Sequence, residues 1–61
     1  MKTQYKLLIT TQYNDNIVKT RSQVYDNINQ ALLMESIYRK NKQRELNRNM
    51  IKQYNTRIVY I

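Results

Sequence analysis

Between Tyr5 and Tyr13 the side chains alternate, with Tyr5, Leu7, Ile9, Thr11 and Tyr13 on one side and Lys6, Leu8, Thr10 and Gln12 on the other. That period of two predicts a strand. Asn14, Asp15 and Asn16 follow, residue types that tolerate left-handed backbone and local side-chain turns. A second alternating run extends from Ile17 to Tyr25, so the first 25 residues predict a hairpin. Pairing Tyr13 with Val18 sets Thr11 against Thr20, Ile9 against Ser22 and Leu7 against Val24, which gathers the apolar side chains on one face. A slip of one residue would set Ile9 against Arg21 and Leu7 against Gln23. The first register is therefore expected, with Lys6, Thr10, Gln12, Lys19, Arg21 and Gln23 on the outer face.

Asp26 stands where a helix N-cap belongs, and residues 27–53 contain no helix breaker. A helix is predicted there. In its first half Ile28, Ala31, Leu32, Leu33, Met34, Ile37 and Tyr38 surround most of the circumference, a pattern that calls for cover on more than one side. In its second half Leu46, Met50 and Tyr54 continue the line of Ile28 and Leu32, at about 100° per residue. The polar stretch Lys40–Gln43 leaves open a break into two helices. The β-prone run from Arg57 to Ile61 predicts a short last strand, paired with the hairpin or across a dimer. The expected fold is α+β, in the order β-β-α-β, as one small basic domain over residues 1–61 and as a homodimer.

Charge changes the picture most in the second half. Residues 39–57 hold seven of the eleven Lys and Arg and one acid, Glu45, for a local +6 within a formal net charge of +7. Lys40, Arg44, Arg48 and Lys52 recur every four residues. On a helix they would form one cationic ridge, whose like charges repel by about 0.2–0.5 kcal/mol per i,i+4 pair. An anionic partner would relieve that repulsion, and nucleic acid, DNA ahead of RNA, is the class expected from a pI near 10. Arg39, Lys42, Lys19 and Arg21 would assist at the rim. Asn41, Gln43, Asn47, Asn49 and Gln53 add groups that hydrogen-bond phosphates or base edges.

Composition limits the rest. With no His and no Cys, the commonest general base, the thiol nucleophile and a structural zinc site are all missing. The four acids, Asp15, Asp26, Glu35 and Glu45, are dispersed and suit a turn, a cap and helix-surface pairing with Arg39 and Arg48. With no Gly there is no phosphate-binding glycine loop. No catalysis, cofactor, metal or small-molecule substrate is expected. No apolar run approaches the roughly 20 residues that span a bilayer, and no secretory leader is evident, so a cytoplasmic location without membrane association is expected.

The function so predicted is that of a small accessory or regulatory nucleic-acid-binding protein of a phage or mobile element. The alternative is a phage-type inhibitor or modulator that docks on a host protein, with Leu33, Ile37, Ile51, Ile58 and Tyr60 as its interface or that of a dimer. A third option is an assembly subunit that exchanges its last strand.

Overall fold

The computed structural model describes residues 3–61. Strands β1 (Tyr5–Tyr13) and β2 (Val18–Tyr25) are followed by helix α1 (Ile28–Asn47) and strand β3 (Ile51–Tyr60). The sheet is antiparallel throughout, with β1 at its centre in the order β2-β1-β3. The α+β class and the β-β-α-β order match the sequence expectation. β3 returns within the same chain. It is ten residues long, not the short terminal run expected, and pairs with β1 from Tyr13–Ile51 to Tyr5–Tyr60.

The hairpin takes the register that apolar gathering disfavoured: Ile9 faces Arg21 and Leu7 faces Gln23. Turn geometry decides this. Asn16 N–H donates to Tyr13 O at 2.9 Å, and Asn16 itself is left-handed at φ 69°. Tyr13 N–H then donates to Ile17 O at 2.8 Å, and the Asp15 carboxylate accepts from Ile17 N–H at 3.2 Å. A three-residue loop with a left-handed third residue closes on Ile17, so every later pair moves by one relative to a closure on Val18. Lys19, Arg21 and Gln23 therefore lie on the helix side of the sheet, with Leu7 and Ile9. The outer face instead carries Lys6, Leu8, Thr10 and Gln12 beside Val18, Thr20, Ser22 and Val24, with a Thr10–Thr20 hydroxyl contact of 3.3 Å.

The helix starts one residue later than expected. Asn27, in extended backbone, is the N-cap, and its side-chain oxygen accepts from Asn29 N–H at 2.8 Å. Asp26 accepts from Gln4 Nε2 instead, at 3.1 Å. The helix runs unbroken through Lys40–Gln43 and stops at Asn47. Asn49 N–H donates to Leu46 O and Met50 N–H to Glu45 O, at 3.0 and 2.9 Å, with Asn49 left-handed at φ 59°. These are the two bonds of a Schellman stop, with asparagine in the place glycine usually takes.

Helix and sheet enclose Leu7, Ile9, Tyr25 and Ala31, with Tyr5, Met34, Tyr38 and Ile58 packed around them. Ala31 is the only alanine of the chain, and its small side chain lets the helix sit close on the sheet. The helix leans toward β3 and β1 and away from β2. Every residue of β2 except Tyr25 is exposed as a result. The layer is thin and long, about 42 × 19 × 10 Å between Cα extremes.

Candidate nucleic-acid interface

The predicted ridge does not exist as one surface. Lys40 and Arg44 are exposed on the side of α1 turned away from Ala31, as about 100° per residue requires. Arg48 is the C-cap. Lys52 belongs to β3, where its Nζ reaches Asn16 Oδ1 at 3.4 Å. Arg39 lies about 100° round the helix from Lys40, and the two line one hollow with Leu32, Glu35, Gln43 and Tyr54. The helix was expected to continue through 53 because nothing in the sequence marks Asn49 as a stop.

Ile51, expected among the basic side chains as an interface residue, is only 3% exposed. It starts β3, paired with Tyr13, and fills the end of the sheet rather than facing a partner. Met50 and Tyr54 likewise leave the helix line assigned to them, and Tyr54 donates its hydroxyl to Gln43 Oε1 at 2.9 Å. The remaining interface candidates divide: Leu33 at 60% and Ile37 are exposed on the outer side of α1, Tyr60 is 74% exposed, and Ile58 is half-buried against the core.

The structure does bring cations together elsewhere. Because α1 leans away from β2, a groove of about 410 Å³ opens between them, floored by Ile9, Thr11 and Tyr13 of β1. β2 supplies Lys19 and Arg21, and α1 supplies Tyr38, Asn41, Lys42 and Glu45. The register carries this site: the expected pairing would have turned Lys19 and Arg21 to the other side of the sheet. Tyr38, Asn41, Lys42 and Glu45 share one helix face by their i, i+3, i+4 and i+7 spacing.

Aromatic rings hold the cations in place. Lys19 Nζ stands 5.8 Å from the centre of the Tyr13 ring and Lys42 Nζ 6.0 Å from it, while the Arg21 guanidinium lies 5.7 Å from the Tyr38 ring. Such contacts are worth about 0.5–1 kcal/mol at exposed sites, and they leave the N–H donors available to an anion. Lys42 and Glu45 form the only ion pair among the described residues, at 3.4 Å. The expected pairings of Glu35 with Arg39 and Glu45 with Arg48 are not formed. Three cations against one carboxylate leave the groove positive, and its chemistry is that of anion capture. Sequence reasoning placed Lys19, Arg21 and Lys42 at the rim of a helix surface. It missed Tyr13 and Tyr38 as their supports, because ring contacts between elements leave no local pattern.

Among the described residues no helix is long and apolar enough to cross a membrane. Comparisons with protein-family models, with curated proteins and with solved structures give no match for this chain.

Proposed function

We propose that this protein binds nucleic acid, without catalysis, through the groove between α1 and β2, as a cytoplasmic accessory or regulatory protein of a phage or mobile element. One observation carries the reading: Lys19, Arg21 and Lys42 converge from two elements on one groove, steadied by tyrosine rings, with a single carboxylate among them. Phosphates suit such a site, since Arg and Lys donate to them without needing a buried pocket. Asn41, on the groove wall, adds a group able to reach a base edge or a sugar.

The test is affinity for DNA and RNA oligonucleotides, single-stranded and duplex, measured by fluorescence anisotropy across salt concentrations. Neutralising three phosphates gives a slope of log affinity against log salt of about −2.7 on duplex DNA and about −2.1 on a single strand. Changing Lys19, Arg21 and Lys42 together to Gln should flatten that slope toward zero. The same change at Lys40, Arg44 and Arg48 should keep most of it. Equal losses from both triple variants, or an affinity indifferent to salt, would refute the groove as the site.

A second reading rests on Leu33 and Ile37, one helical turn apart and exposed on the outer side of α1. An apolar pair there suits a host-protein interface. It prevails if the protein ignores nucleic acid at moderate salt and binds a host protein through a contact that Leu33→Ser and Ile37→Ser abolish.

A further inference from the structure

β2 is an open edge of the sheet, exposed from Val18 to Val24 on both faces. Its backbone polarity follows from the turn. Tyr13 N–H bonds Ile17 O, so by antiparallel alternation the odd residues of β2 bond β1. Val18, Thr20, Ser22 and Val24 then turn their N–H and C=O groups to the open edge. The stretch Val-Lys-Thr-Arg-Ser-Gln-Val, residues 18–24, is also nearly symmetric about Arg21. Valine matches valine, Thr20 matches Ser22, and Lys19 matches Gln23, both polar and unbranched although only the lysine is charged.

We infer that a second copy of this chain pairs with β2, edge to edge and antiparallel, on a two-fold axis at Arg21. In that register Val18 meets the Val24 position of the other copy and Thr20 meets the Ser22 position. Both are pairs of edge-facing residues, so about eight backbone hydrogen bonds form across the axis. Val18 and Val24, 56% and 46% exposed in the single chain, cover each other on the outer face. The self-complementarity is what a two-fold interface demands. On the helix side α1 leans toward β3 and leaves this edge the least covered of the sheet. β3, the other edge, has no comparable symmetry centred on a residue, which a two-fold axis normal to the sheet requires if facing side chains are to share a face.

On the groove side the two Arg21 side chains stand beside each other at the axis, flanked by both copies of Lys19. Charges on an edge strand oppose pairing, so the free chain stays monomeric at low concentration and an anion lying over the axis favours the pair. The two grooves then become one basic site, a consequence that rests on the nucleic-acid reading above.

Single cysteines test the register, since the chain has none of its own. At the axis the Cα atoms of Arg21→Cys would lie about 4.5 Å apart, within reach of a disulfide. Lys19→Cys and Gln23→Cys, on the same exposed face, would each lie about 13 Å from their own counterparts. Under mild oxidation Arg21→Cys should cross-link at least tenfold faster than either control. Similar rates for all three, or none for Arg21→Cys, would overturn the pairing. Sedimentation provides the second readout. Arg21→Gln should dimerise without nucleic acid at a concentration at least tenfold below wild type, and Thr20→Pro, which removes an edge-facing N–H, should stay monomeric. If Arg21→Cys and Arg21→Gln behave so while wild type binds no oligonucleotide, the pairing stands and the groove reading falls. If oligonucleotide binds only one chain at a time and Arg21→Gln stays monomeric, the reverse holds.

Discussion

Leu7 is the side chain on which the fold most depends, and replacing it with alanine measures how thin the margin is. It is fully buried in the first half of β1, in one cluster with Ile9, Tyr25 and Ala31. Removing a buried leucine to alanine costs about 2.7–5.0 kcal/mol, the spread reflecting how far the site collapses. A core of this size rarely supplies more than about 3–5 kcal/mol of net stability. Leu7→Ala should therefore bring the folded and unfolded states near balance. In urea, with a slope of about 1 kcal/mol per molar for a small domain, the midpoint seen by far-ultraviolet circular dichroism should fall by about 3 M or vanish. Leu33→Ala is the control, since that side chain is 60% exposed and such changes usually stay within about 0.5 kcal/mol. The reasoning fails if Leu7→Ala shifts the midpoint by less than about 0.5 M, or if Leu33→Ala matches it. In the second case Leu33 would be buried in solution against something other than its own chain.

Two further substitutions probe the turn and the core. Asn49 holds a left-handed conformation at the helix stop, so Asn49→Ala should cost about 1 kcal/mol, lowering the melting temperature by about 4–8 °C. Asn49→Gly should equal or exceed wild type, and a loss from glycine as large as that from alanine would place the role of Asn49 in its side chain. Tyr25 carries a buried hydroxyl with no hydrogen-bond partner among the described residues, and an unsatisfied polar group costs about 1–3 kcal/mol. Tyr25→Phe should melt at or above the wild-type temperature, and a drop of several degrees would mean that the hydroxyl has a partner.

The α+β order was legible because alternation in Tyr5–Tyr13 and helix-forming composition after Asn27 are local properties. The helix end was not. Without glycine or proline, the stop at Asn49 rests on a single left-handed asparagine and two backbone bonds, and asparagine is common in this chain in other roles. Asn27 caps, Asn16 turns, and the Asn14 amide donates to Asn49 O at 2.7 Å, tying the hairpin loop to the helix stop. One residue type serving four purposes gives pattern reading nothing to separate them. The early stop also redistributes the charge, because Arg48 and Lys52 lose the helical spacing that would have aligned them with Lys40 and Arg44.

The register error has the larger consequence. Gathering apolar side chains is a sound criterion where both faces of a strand pair compete for one core, and it assumed that β2 is covered by the helix. In the structure α1 leans toward β3, so the helix-side face of β2 lies at solvent. Placing Arg21 opposite Ile9 and Gln23 opposite Leu7 then buries no charge, and the local turn at Asn14–Asn16 decides the pairing without opposition. That slip turns Lys19 and Arg21 toward Lys42. A charge pattern on one helix thus carries less information than the angle at which that helix crosses its sheet. The lean exposes Tyr13 and Tyr38 to the cations, opens the groove, and leaves the symmetric edge of β2 free. All three depend on the same packing choice, so a substitution that drew α1 over β2 would close the groove and the edge together while leaving every basic side chain in the sequence.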